Sequence, residues 1–295
     1  MLKKCLKYDL QSVVRIWWIL AATMLGAALI AGLACRTFME IVMNSPEADG
    51  VLVFLALFGL IGAMLCILAM VAALVVSVII VYWRTYTHFF TDEGYLTFTL
   101  PVKRSTLYLS KVVTATLVEL ATILLFVLGI CLILLIAPPS AYDGQIINPV
   151  VFTEMGSLFE IAFSGLFGIE GGGWVVVWLI AALPLLLMSQ LYGSGLTFLC
   201  MTVGSVIAKK HKLLASIGIY YGFTAVLSFV SQFASLFLSS GVLSVVTVVA
   251  MGGGAVTTGL TVTAIILIAD LIMACLAVLL HFITVHLLEK KLNLA

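Results

Sequence analysis

Long apolar runs separated by short polar stretches dominate this chain. Six runs are long enough to cross a bilayer as helices: residues 16–38, 51–83, 112–137, 174–208, 213–238 and 262–288. The second, Val51 to Trp83, carries no charge over its whole length. At about 1.5 Å per residue it would reach about 50 Å, well beyond a hydrocarbon core of about 30 Å. Its end beside Arg84 is therefore expected to project past the membrane. Pro138 and Pro139 end the third run, and Pro184 with Gly193, Ser194 and Gly195 can kink the long fourth run. Residues 239–261 are apolar but rich in Gly and Ser, with Gly252, Gly253 and Gly254 at their centre. That composition reads as a broken, re-entrant or surface-lying segment on the outer side.

Two shorter patterns flank these runs. Leu2, Leu6, Leu10 and Val13 recur at helical spacing while Lys3, Lys4, Lys7 and Arg15 occupy other faces. This predicts an amphipathic helix over 1–15 lying at the inner interface; the alternative is a plain positive flank with no elbow before the first span. Between spans two and three lies a polar insert, residues 84–111. Thr91 can cap a short helix starting at Asp92 and Glu93, whose charges suit a helix N-terminus. Phe89, Phe90, Tyr95, Leu96, Phe98 and Leu100 give that segment an apolar face, Pro101 stops it, and Ser105 opens the next helix. Such a face either docks on a partner or covers the protein's own helix ends.

Composition fixes the class. Of 295 residues, 64% are hydrophobic and 9% charged, with a mean hydropathy of +1.29. Soluble domains carry about 25% charged residues. The fold class expected is therefore an all-α integral membrane protein. The net charge of +1 gives no reason to expect a nucleic-acid partner. The six cysteines are scattered through apolar runs without a CxxC pair, so neither a disulfide framework nor a metal is implied. Gly32 to Cys35 has the small-residue shape of a lipoprotein cleavage box, but the preceding run is long enough to span and reads as a retained helix.

Charge placement gives the orientation. With six spans and the N-terminus inside, every Lys and Arg except Arg36 falls on a cytosolic position. The loop 138–173 carries Asp143, Glu154, Glu160 and Glu170 and no basic residue, as an outer loop should. The localisation expected is a bacterial plasma membrane, multi-pass, with both termini cytoplasmic.

The usual catalytic signatures are missing. No GK[ST] follows a glycine-rich loop, so the chain holds no P-loop for ATP hydrolysis. There is no HExxH; His281 and His286 read as interface histidines near the end of span six. Gly193-Ser194-Gly195 reads as close helix packing rather than as a serine nucleophile. Two acids lie inside spans, Glu119 and Asp270. Intramembrane carboxylates are costly and mark a pathway or a structural hydrogen bond; the structural role is favoured for Glu119, and neither role for Asp270.

The string from Phe89 to Lys111, FFTDEGYLTFTLPVKRSTLYLSK, resembles the cytoplasmic loop of ABC-2 type transporter permeases of Gram-positive bacteria, and Leu6 to Leu10, LKYDL, is similar to the start of that group. The specific likeness is confined to these two places. It implies that the segment near Asp92 to Leu100 is a coupling helix seated on a separate ABC ATPase subunit, with Phe89, Phe90, Asp92, Glu93, Tyr95, Leu96 and Leu100 as contacts. It implies ATP and Mg in that partner and no cofactor in this chain, which would not itself be an enzyme. It further implies a second permease copy or a sister permease, with Glu119 and Asp270 as possible pathway residues. The large 138–173 loop departs from the family's expected plan. Rival readings are an ion- or proton-coupled carrier, an intramembrane enzyme, and a membrane scaffold or sensor.

Overall fold

The computed structural model describes residues 2–44, 50–91, 94, 102–137, 173–208, 211–252 and 255–290. Among these residues lie six helices: α1 (Leu2–Asn44), α2 (Gly50–Phe90), α3 (Arg104–Ile136), α4 (Gly173–Ile207), α5 (Lys212–Gly252) and α6 (Ala255–Lys290). Each holds a stretch long and apolar enough to cross a membrane. This is the architecture of a multi-pass membrane protein. The reason is elementary: a chain so poor in charge has no water-facing option, and a helix satisfies all its backbone polar groups internally.

Three boundaries differ from expectation. The chain shows no break between an interfacial helix and the first span; α1 is a single helix of 43 residues that carries Arg15 within it. A charged side chain can project from a helix without interrupting its hydrogen bonds, so Arg15 marks no elbow. Second, α2 runs on through Arg84 to Phe90, giving 41 residues and about 60 Å. The polar insert therefore begins as a continuation of span two, and α3 takes up its other end at Arg104. Third, helix extends well into residues 239–261, as far as Gly252 from one side and from Ala255 on the other. Residues 253–254 lie outside the described residues. Gly and Ser weaken helices mainly where water competes for the backbone, and an apolar setting removes that competitor. Most of the expected 138–173 loop lies outside the described residues, and α4 begins at its end and continues through Pro184.

The chain divides into two compact units, and α1, α2 and α3 each contribute to both. One unit holds 7–83 and 117–157. Its core is built from small residues. Ala21, Met24, Ala28 and Ala31 are buried along α1. On α2 the buried positions Ala56, Ala63, Met70 and Ser77 recur every seven residues while their apolar neighbours stay exposed. Small side chains let helices approach closely where lipid offers no hydrophobic contrast. Gly32 lies against Ile136, and Gly129 against Met70 and Ala28. Arg36, the basic residue that the charge count leaves at the opposite end of the first span, is paired with Glu40 at 2.9 Å, one turn on.

The other unit holds 1–6, 84–116 and 158–295. Here α4 packs against both α5 and α6. Leu196, Cys200 and Leu280 form its apolar centre, with Tyr192, Ile219 and Leu227 around them. Gly204 sits directly on Ser216, whose hydroxyl donates to the Lys212 carbonyl at 2.8 Å and also lies 3.4 Å from the Met201 carbonyl. The first turns of α3 join through Tyr108, whose ring meets Phe198 edge-on at 5.8 Å and His281 at 5.2 Å.

Candidate functional site

The insert is held at both ends. At its start, Phe89 and Phe90 close α2, and their rings lie 6.2 Å apart with Tyr86 beside Phe90 at 5.8 Å. They are only 3% and 5% exposed. Both are among the residues expected as contacts for a partner, and both are buried in the chain as described. Of the remaining expected contacts, Asp92, Glu93, Tyr95, Leu96 and Leu100 lie outside the described residues. The Thr91 hydroxyl donates back to the Thr87 carbonyl at the end of α2. The Gly94 N–H donates to the Thr91 carbonyl at 2.8 Å. A Cβ on Gly94 would come within 2.9 Å of the Phe89 carbonyl carbon, so this tight turn off the helix end has room only for glycine.

At the other end of the insert, the Arg104 guanidinium donates through Nη1 to the Leu288 carbonyl and reaches the Glu289 carbonyl at 3.5 Å. The last carbonyls of a helix lack partners within it and carry the negative end of its dipole. Arg104 thus clasps the C-terminus of α6 to the N-terminus of α3. Sequence reasoning assigned Arg104 only to the positive-inside count. The signal available was a basic residue at a helix start, and nothing local named its partner.

The two membrane acids differ. Glu119 is buried at 8% exposure, and its Oε1 accepts a hydrogen bond of 2.7 Å from the Tyr82 hydroxyl of α2. One turn along, the Thr122 hydroxyl accepts from the Trp17 indole N–H of α1 at 2.9 Å and donates to the Val118 carbonyl at 2.7 Å. These contacts stitch α1, α2 and α3 together. Removing the Tyr82 hydroxyl strands a buried carboxylate oxygen, at a cost of about 1–3 kcal/mol. Tyr82→Phe is expected to lower the thermal transition of the purified protein measurably, while Trp83→Phe, at an exposed neighbour, leaves it unchanged. Equal transitions for both variants would show that the bond contributes nothing.

Asp270 has no such partner. Both carboxylate oxygens are buried and neither makes a hydrogen bond. Glu119 and Asp270 belong to different units. Ser194 is fully buried, its hydroxyl 3.0 Å from that of Thr116 and 3.1 Å from the Leu191 carbonyl. Those contacts join α3 to α4 as a packing pair. No protein-family model, curated protein or solved structure matches the chain.

Proposed function

We propose that this chain is the membrane permease subunit of an ATP-driven exporter of the ABC-2 type. In this reading the insert faces the cytoplasm of a bacterial cell and a short coupling helix within it seats on a separate ATPase subunit. A second permease, identical or a sister chain, completes the pathway. The observation that carries the reading is the polar insert between two long membrane helices, with its DEGYL and TLPV strings, in a chain that has no P-loop of its own.

The anchoring of the insert supports a mechanical role. Its first end continues α2 without a joint, its second opens α3, and Arg104 ties that second end to α6. A push delivered between residues 91 and 103 would reach three helices at once. Rigid anchors at both ends turn a displacement of the insert into a displacement of spans, whereas flexible ones would absorb it. ATP binding and hydrolysis belong to the partner; this chain contributes the lever and the pathway.

The test is gentle purification from the native host. The expected result is a P-loop ATPase in stoichiometric amount. Leu96→Asp, which puts a charge on the docking face, should reduce the recovered ATPase by about tenfold or more, as loss of a central apolar anchor does at other interfaces. A wild-type chain that purifies alone at every detergent strength would overturn the assignment. So would a Leu96→Asp chain that keeps its ATPase.

A further inference from the structure

Asp270 stands deep within α6, far from either end of the helix. Among the described residues it is the one carboxylate whose two oxygens are both buried without a hydrogen-bond partner. Its register is informative. Asp270, Ala277 and Thr284 recur every seven residues, and Ala277, Leu280 and Thr284 are buried. Leu280 lies against Gly195 of α4, so this is the stripe that α6 turns toward α4. The flanking residues Leu267, Ile268, Leu271 and Ile272 are all exposed on the other faces. The acid is therefore directed into the packed side of the helix and away from lipid.

No cation within these helices can answer it. Helix α4 carries no charged residue between Gly173 and Ile207. The one charge in α5 is Lys212, at the far end beyond the contact between Ser216 and Gly204. On α6 the first basic side chain after Asp270 is His281, about 16 Å further along the axis and stacked on Tyr108. An ionised carboxylate in such surroundings lacks a donor, and a protonated one lacks an acceptor. Among the described residues neither state finds a partner, and buried polar groups without partners are costly enough to be rare.

We propose that Asp270 binds the ammonium or guanidinium group of a cationic amphiphile. An N–H-bearing cation supplies what the site lacks: positive charge and donors together. That this molecule is the exported cargo rests on the transporter reading above; that the site binds it does not.

The experiment uses the full chain, reconstituted alone in lipid nanodiscs with empty nanodiscs as the background. The probe is dansylcadaverine, a fluorophore bearing a primary ammonium, compared with its N-acetyl derivative, which keeps the apolar body and loses the charge. Wild-type protein is expected to bind the ammonium probe about tenfold more tightly than the acetamide. Asp270→Asn should remove that preference and leave binding of the acetamide unchanged, and Asp270→Glu should retain the preference. Wild-type protein that does not discriminate between the probes would overturn the proposal without recourse to any variant. Undiminished discrimination in Asp270→Asn would also overturn it. Discrimination by the chain alone, with no ATPase recovered from the host, would leave the site standing and remove the exporter reading.

Discussion

Phe90→Asp is expected to abolish the folded protein rather than to uncouple it from a partner. Phe90 is almost wholly buried, with Phe89 and Tyr86 as ring neighbours. Truncating a buried phenylalanine costs about 3–5 kcal/mol, and an unpaired carboxylate in its place adds a desolvation penalty of several more. That exceeds a large part of the stability of a typical domain, about 5–15 kcal/mol. Size-exclusion chromatography of the tagged protein should show aggregate in place of the monodisperse peak. Phe90→Leu keeps the apolar volume approximately and should return most of that peak. A Phe90→Asp protein as monodisperse and heat-stable as the wild type would show that Phe90 is not part of the interior. The contrast with Leu96→Asp is the useful one: one substitution tests the fold, the other the docking face.

Gly204→Leu should have the second largest effect. A Cβ at this position would stand 2.6 Å from both the Cα and the backbone nitrogen of Ser216. Because the obstacle is backbone, no rotamer change relieves the clash, and α5 must move away from α4. The movement would also pull the Ser216 hydroxyl from its approach to the Met201 carbonyl. Overpacking of this kind costs about 1–3 kcal/mol and more where backbone must shift. Thermal denaturation should place Gly204→Ala below wild type and Gly204→Leu below both. A leucine variant that melts with the wild type would mean that α4 and α5 separate there without penalty.

The six spans were legible because a long run without charge has one structural solution in an apolar medium. The heptad of Ala56, Ala63, Met70 and Ser77 was written in the sequence as well. It is easily overlooked, since every other residue around it is apolar and the usual contrast between polar and apolar faces is missing. The Gly- and Ser-rich run before Gly252 stays helical because in an apolar medium the backbone has nowhere else to bond, and α5 ends at that glycine. Local pattern could not reach the cross-links. Tyr82 finds Glu119, Trp17 finds Thr122 and Arg104 finds Leu288 across long stretches of chain. Phe89 and Phe90 show the limit for the candidate site. An aromatic pair that covers its own helix end and one that greets a partner have the same sequence, because both must be apolar.

The clasp between Arg104 and α6 also bears on how the protein is made. Its two halves lie 184 residues apart, and a ribosome delivers Arg104 long before Leu288. Throughout that interval the third helix can insert, but the insert's second end remains untethered to the sixth. The tether closes only when α6 is in place. A product stalled before α6 would present the same polar insert with one end loose, so the insert takes its final anchorage only after α6 has been made.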